Sequence, residues 1–409
     1  VENLGVSNRN SLYESKGSSN EAYHLLDLTF TELQTFLKDR GQPKFRAEQI
    51  YRWIYQKSAK SFESMSDLGK KFRLECAQSL RLDRPEIHTI KRSWDGTVKF
   101  LIRFFDGKTA ECVLIPAVNE EKRLRLTLCV SSQVGCAVGC RFCNTALQGL
   151  ERNLHAHEII SQILIANDFV EEEVKRAKIR IESRPNEASI QVDPTEIAPW
   201  AQWAANENKE IAVRNIVYMG MGEPFHNYNQ VMQSVRILVD EAGLDFSKRK
   251  ITISTSGILP GIEKFAREED PRVHVNLALS LNGADDEIRE ETMPINKAYP
   301  LKKIFKALRS LPLEPRRRIT FEYILMKGVN DDLDEVPKLV KLLRGLPSKM
   351  NLIPYNEFPG SPFKRPPDEQ MLAFQKALLD RGVQSNLRVS RGQDIFAACG
   401  MLNSSKLPH

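Results

Sequence analysis

With 409 residues, 41 % of them hydrophobic and 27 % charged, the chain has the composition of a globular protein large enough for two domains or one large barrel with additions. No apolar run approaches the length needed to cross a bilayer, which argues against a helical membrane protein. The formal net charge of +6 permits a nucleic-acid partner without requiring one.

Residues 1–24 are rich in Ser, Asn and Glu with almost no apolar pattern, and read as a disordered tail. Residues 25–84 carry helical periodicity: Leu33, Phe36 and Leu37 form one apolar cluster, Ile50, Trp53 and Ile54 another, and Leu68, Phe72 and Leu80 a third. Thr31 with Gln34 predicts a capping box, and Gly41 with Pro43 a helix end. Arg46, Arg52, Lys57, Lys60, Lys70, Lys71 and Arg73 give this helical unit a basic face beside Tyr51 and Trp53, for which a solvated surface over core aromatics is the plainer reading. Over residues 85–120 the period changes to two. Asp95-Gly96 and Asp106-Gly107 are hairpin turns separating three strand-like runs, a β-meander. Glu111, in the last run, is either an exposed edge charge or a buried base, and the pattern favours the edge charge.

From residue 121 to 360 strands and helices alternate. Strand-like runs at Leu124–Val130, Asn215–Met219, Lys250–Ile253, Val275–Leu281, Ile319–Met326 and Met350–Pro354 predict a parallel sheet, an α/β partial (β/α)6 TIM-like barrel. Polar or glycine-rich strings follow five of these runs: Cys136 after the first, Gly220 to Pro224 after the second, Ser254 to Gly257 after the third, Ser280 to Gly283 after the fourth, Tyr355-Asn356 after the sixth. In such barrels the C-terminal strand ends carry the chemistry. Residues 171–209, charged and with Pro185, Pro194 and Pro199, exceed an ordinary connection and read as a surface insertion, partly helical or disordered. Residues 361–409 form a C-terminal extension containing Cys399.

Cys136, Cys140 and Cys143 stand in the string Cys-Ala-Val-Gly-Cys-Arg-Phe-Cys. Three soft thiolates on one short loop can hold three irons of a cubane cluster and leave the fourth open to an exogenous chelator. A zinc site would ask for a fourth Cys or His nearby, and His155 and His157 lie beyond a polar stretch of helical pattern. Disulfides are disfavoured because seven cysteines is an odd number and the N-terminal residues do not read as a secretory signal. The C-x3-C-x2-C spacing with an aromatic before the last Cys resembles the signature of radical S-adenosylmethionine (SAM) enzymes. In those enzymes the open iron binds the methionine amino and carboxylate groups, and one electron cleaves the sulfonium to a 5′-deoxyadenosyl radical. Gly222-Glu223-Pro224 resembles their string for the methionine amino group. Ser254, Ser280, Asn282 and Asn356 offer hydroxyl and amide groups suited to ribose, carboxylate and adenine edges, although serine and asparagine at such turns also serve as helix caps. Cys399 lies in a glycine-flanked turn and Cys129 near the end of the first barrel strand, whereas Cys76 and Cys112 read as ordinary buried thiols.

From Leu25 to Leu402 the chain resembles the ribosomal-RNA and transfer-RNA adenine carbon-2 methyltransferases of the radical SAM superfamily. The matching strings are Phe45 to Tyr55, Leu128 to Cys136, Met219 to Pro224, Met293 to Asn296 and Ala397 to Gly400. The resemblance implies one [4Fe-4S] cluster on Cys136, Cys140 and Cys143, and SAM contacts at Gly222, Glu223, Ser254, Ser280, Leu281, Asn282 and Asn356. The family often has histidine where this chain has Asn282. By the same resemblance, one SAM methylates Cys399 and a second generates the radical that activates this methyl group. Glu111 then removes the adenine proton, and Cys129 forms a disulfide with Cys399 to release product. Implied partners are ribosomal RNA, transfer RNA and an electron donor such as flavodoxin with its reductase, for a cytoplasmic monomer whose basic helical unit anchors RNA. Two other readings compete: the sister activity at adenine carbon 8, and a non-catalytic iron–sulfur protein. The second leaves Gly222-Glu223-Pro224, Glu111 and the Cys129/Cys399 pair without roles.

Overall fold

The computed structural model describes residues 22–118, 123–182 and 197–404. The first 21 residues of the expected tail, and residues 119–122, lie outside that range. Tyr23 and His24, read as part of the tail, instead form a short strand, β1 (Tyr23–His24), parallel to β2 (Leu80–Arg81). The rings of His24 and His157 stack 4.0 Å apart, and His24 also contacts the Asp83 carbonyl at 2.9 Å, so these two residues are fastened to the fold.

Helices Phe30–Lys38, Phe45–Tyr55 and Lys70–Ser79 follow. Their apolar clusters pack as the periodicity requires, with Leu33, Phe36, Leu37, Ile50, Ile54, Leu68, Phe72 and Leu80 all buried. The capping box sits two residues earlier than expected. Glu32 N–H donates to the Thr29 hydroxyl at 3.2 Å and Thr29 N–H to the Glu32 carboxylate at 2.8 Å, because Thr29 is the last extended residue whereas Thr31 is already inside the helix. Much of the basic face is locally engaged: Arg52 pairs with Glu48, Lys60 with Asp168, and Lys57 lies over the Trp53 ring.

The meander comprises β3 (Glu86–Arg92), β4 (Val98–Arg103) and β5 (Thr109–Val118), antiparallel and reversing at the two Asp-Gly turns. β5 then pairs antiparallel with β6 (Leu124–Cys129). Glu111 therefore lies on an interior strand with 3 % of its surface exposed, which overturns the edge-charge reading. A small hairpin of β7 (Gln133–Gly135) and β8 (Leu150–Asn153) flanks the three-cysteine loop.

The remaining strands are β9 (Val213–Tyr218), β10 (Ile251–Thr255), β11 (Asn276–Ser280), β12 (Ile319–Leu325), β13 (Ser348–Pro354) and β14 (Ser385–Leu387). Together with β6 they make, among the described residues, a run of seven parallel strands in one sheet, one more than the pattern predicts. A single ten-stranded sheet runs β14-β13-β12-β11-β10-β9-β6-β5-β4-β3, so the meander continues the barrel wall. Amphipathic helices cover the outer face; helix Leu301–Arg309, for example, buries Leu301, Ile304, Phe305 and Leu308.

The predicted insertion is helical at both described ends. Helix Ala156–Glu182 runs 27 residues, and helix Pro199–Asn206 packs back on it, with Trp200 donating to the Gly96 carbonyl at 3.0 Å. Residues 183–196 lie outside the described range. Among the described residues, no helix is long and apolar enough to cross a membrane.

Candidate active site

A cavity of about 210 Å³ opens at the C-terminal ends of the parallel strands. Cys129, Cys136, Cys140, Cys143, Gly222, Glu223, Ser254, Ser280, Asn282, Asn356 and Cys399 all line it. These residues come from strings up to 270 positions apart (Cys129 to Cys399), so the fold gathers into one place what the sequence offers as separate turns. Two expected site residues stand behind the wall. Leu281 is fully buried, its N–H donating to the Glu322 carbonyl at 2.9 Å and its own carbonyl accepting from Arg289 at 3.1 Å. Glu111 is also absent from the lining.

The cysteine loop is held at both ends. Cys136 N–H donates to the Gly149 carbonyl at 2.8 Å, and Asn144 N–H to the Gly400 carbonyl at 2.7 Å. Gly135 has φ +74, and a Cβ there would overlap the Gly149 carbonyl oxygen. Phe142 packs with Met293, Met326, Tyr355 and Phe358 as an apolar cover. Burial pushes the Cys136 thiol up to about 12 and raises Cys140 and Cys143, with Arg289 the cation that opposes the rise at Cys140. Among the described residues no three His, Cys, Asp or Glu side chains converge on a single ion. Three half-buried soft donors on one loop, all lining the cavity, suit a polynuclear iron–sulfur group, whose irons each take one thiolate.

The Gly222-Glu223 turn rests on Gln133. Gly222 has φ +98, and a Cβ would come within 2.5 Å of the Gln133 side chain. Gln133 accepts the Glu223 N–H at 2.8 Å. The Glu223 carboxylate accepts from the backbone N–H of Phe225 at 3.0 Å and of Ser256 at 2.7 Å, which fixes its aim. Ser254 and Ser280 present their strand ends to the cavity and are not helix caps: Ile258 and Asp285 cap the helices that follow. Ser256 carries a buried hydroxyl without a hydrogen-bond partner, a polar atom suited to a ligand group.

Arg289, which the sequence reading passed over, braces these turns. Fully buried, it donates to the Leu281 carbonyl, to Asn296 at 2.7 Å, and to the Ser256 and Ser280 carbonyls, tying the ends of β10 and β11 together. Burial pushes its pKa down to about 10. The sequence signal was a lone arginine in an acidic stretch, Asp285 to Glu291, just before the Met293 to Asn296 string.

The two asparagines are engaged by the protein itself. Asn282, with φ +54, accepts from Ile324 N–H at 2.8 Å and lies 3.2 Å from the Met293 sulfur through its amide nitrogen. Asn356 donates to the Cys399 carbonyl at 3.1 Å and accepts from Gln393 at 2.8 Å. It thereby clamps the strap of residues 392–404 that carries Cys399 over the cavity.

That strap is zipped onto the residues just after Cys143: the side chain of Asn144 donates to the Met401 carbonyl at 3.0 Å and that of Thr145 to the Leu402 carbonyl at 2.6 Å. Cys399 is open toward the cavity, yet the protein around it raises its thiol pKa, with Arg388 acting in the opposite direction. Cys129 is buried and lines the same cavity as Cys399, and its thiol is raised by burial first and by Cys399 second. Behind them Glu111 pairs with Lys99 at 2.9 Å and accepts the Asn403 N–H at 3.0 Å.

Comparison with known proteins fits this geometry. Residues 23–81 match the model of the ribosomal RNA large subunit methyltransferase N-terminal domain, and residues 130–343 that of the radical SAM superfamily. The chain is 44 % identical to the dual-specificity RNA methyltransferase RlmN of a Nitratiruptor species, over 93 % of this chain and 97 % of that protein. It is 41 % identical to the protein of that name from Rhodospirillum rubrum, over 94 % of this chain and 81 % of that one. A solved radical SAM methyltransferase from Sphaerobacter thermophilus superposes with a TM-score of 0.77 at 39 % identity, covering 93 % of this chain and 99 % of that one. The chain belongs to the radical SAM superfamily and, within it, to the family of the dual-specificity RNA methyltransferases RlmN.

Proposed function

We propose that this protein methylates carbon 2 of an adenine in large-subunit ribosomal RNA at the peptidyl-transferase centre, and of the adenine beside the anticodon in some transfer RNAs. The observation that carries the reading is the shared cavity, in which three cluster-type cysteines, the Gly222-Glu223 turn and the Cys129/Cys399 pair meet. Carbon 2 of adenine is electrophilic, so polar transfer from SAM would fail and a radical route is required. When bound, one [4Fe-4S] cluster and SAM supply a methyl group for displacement and a radical that abstracts hydrogen.

The chain's own residues divide the remaining work. Cys136, Cys140 and Cys143 hold the cluster, while Glu223, fixed by two backbone N–H groups, receives the methionine amino group. Ser254, Ser280 and the backbone at Asn282 face the nucleoside part, with Asn356 shared between ligand and strap. Cys399 Sγ accepts the methyl group and, once that carbon has lost a hydrogen, delivers it to carbon 2. Glu111 takes the carbon 2 proton. Cys129, giving up its thiol proton, closes a disulfide on Cys399 as the sulfur–carbon bond breaks. The released methylene carbon takes up a proton to complete the methyl group, and the surplus electron of the disulfide radical anion passes to an oxidised external electron carrier. The reductant is external, of the flavodoxin type, and the protein acts as a cytoplasmic monomer whose basic N-terminal helices anchor RNA.

The test is anaerobic turnover of reconstituted protein with SAM, reductant and unmodified large-subunit RNA, followed by nucleoside mass spectrometry. 2-Methyladenosine is the expected product. 8-Methyladenosine would transfer the assignment to the sister activity, and neither product with an intact cluster would remove the RNA substrate.

A further inference from the structure

Lys99 is a buried charge that neither the motifs nor the chemistry above uses. It lies on β4 opposite Val113, and its neighbour Leu101 lies opposite Glu111, so Lys99 and Glu111 share one face of the meander. Only 6 % of Lys99 is exposed, and a lysine is buried so deeply only when paired. Its ammonium pairs with Glu111 Oε1 at 2.9 Å and donates to the Phe396 carbonyl at 3.0 Å. The other Glu111 oxygen accepts the Asn403 N–H. One ion pair therefore ties down the strap on both sides of Cys399, three residues before it and four after. Phe396 has φ +54, a strained conformation for a large side chain that persists only where its surroundings enforce it, and it turns the carbonyl toward Lys99.

We propose that Lys99 is a positioning residue for methyl transfer, holding the Glu111 carboxylate and the Cys399 strap in fixed relation so that base and methyl carrier address the same adenine carbon. The inference rests on the function proposed above. The charged or titratable groups acting on Glu111 are Lys99 from β4, Lys91 from β3 and Cys112 beside it. Burial raises the Glu111 carboxyl and Lys99 is the largest opposing influence, so loss of Lys99 drives that carboxyl higher still. A base that must be ionised then fails over a wider acid range, and the acid limb of the rate profile moves to higher pH.

The experiment uses full-length reconstituted protein already methylated on Cys399, so that the first displacement does not enter. Single-turnover transfer to RNA is followed against pH, with denaturing gels to catch covalent protein–RNA adduct. Lys99→Gln should slow product release by about 100-fold, the low end for a general base, move the acid limb upward and accumulate adduct. Lys99→Arg should recover much of the rate and bring the limb back. A Lys99→Gln loss that is equal at every pH and free of adduct would mean a merely structural staple and overturn the proposal. If Lys99→Gln melts below the assay temperature, the double variant Lys99→Gln/Glu111→Gln, which removes both charges, takes its place. It should react no more slowly than Glu111→Gln alone, and a further loss would overturn the inference. A wild type that makes no 2-methyladenosine removes the functional reading and this one with it, whereas a reactive wild type with an indifferent Lys99→Gln removes only this one.

Discussion

The two sides of the cavity are built differently. On the parallel side, Glu223, Ser254 and Ser280 sit at strand ends, where the backbone of neighbouring turns and the buried Arg289 hold them. On the opposite side, Cys399 hangs on a strap whose anchors lie on β4, β5 and the short helix after Cys143, joined to it by contacts spanning 292 to 297 residues for Glu111 and Lys99. The first wall is preorganised by hydrogen bonds between adjacent strand-end turns and suits a cofactor that binds the same way each time. The second is an appended segment held by hydrogen bonds and one ion pair, suited to a group that, in the mechanism proposed above, is methylated, delivers the carbon to a base and then meets Cys129.

The sharpest way to separate the two walls is to remove one sulfur from each. Cys399→Ala should abolish methyl transfer to RNA while the protein keeps its brown colour and iron content, because its thiol lies on the strap and not on the cluster loop. Cys136→Ala, Cys140→Ala or Cys143→Ala should instead lose the iron and the visible absorbance. Retained turnover in Cys399→Ala would remove the covalent carrier from the mechanism.

Arg289→Gln tests the parallel wall. It leaves the Ser256, Ser280 and Leu281 carbonyls short of the donor that the buried Arg289 supplies, and should cost about 3 kcal/mol, read as a lower melting temperature. SAM binding should weaken with it, since the β10 and β11 turns are no longer tied. A stable Arg289→Gln protein with unaltered SAM affinity would show that these turns hold themselves.

The same contrast explains what could be read from sequence. Strands β6 and β9 to β13 were legible because each is a short apolar run bounded by turns and followed by a helix. β14 was not, because Ser385-Asn386-Leu387 has no apolar pattern and is a strand only by pairing with Met350 to Leu352. Gly222 and Glu223 form a contiguous string that can be read as a motif, although of the groups that hold Glu223 only the Phe225 N–H is close in sequence. Gln133 and Arg289 bind backbone groups of other turns, which leaves no periodic trace. Glu111 looked like an edge charge because nothing local reveals that β6 and the strap close over it.

Asn356 stands between the two walls, at the end of a parallel strand but bonded to the strap through both Cys399 and Gln393. If its main role is to clamp, Asn356→Ala should lose about 1 kcal/mol of strap anchoring, and amides from Ala397 to Met401 should exchange faster. Cys399 methylation should then slow by about five- to tenfold, the rate equivalent of that energy, with SAM affinity altered less. Gln393→Ala, which removes one bond to Asn356 without touching the cavity rim, should reproduce the faster exchange in weaker form. If SAM affinity falls in Asn356→Ala and strap exchange does not change, Asn356 belongs to the cofactor wall alone, and the strap is held by Lys99, Glu111 and Asn144 without it.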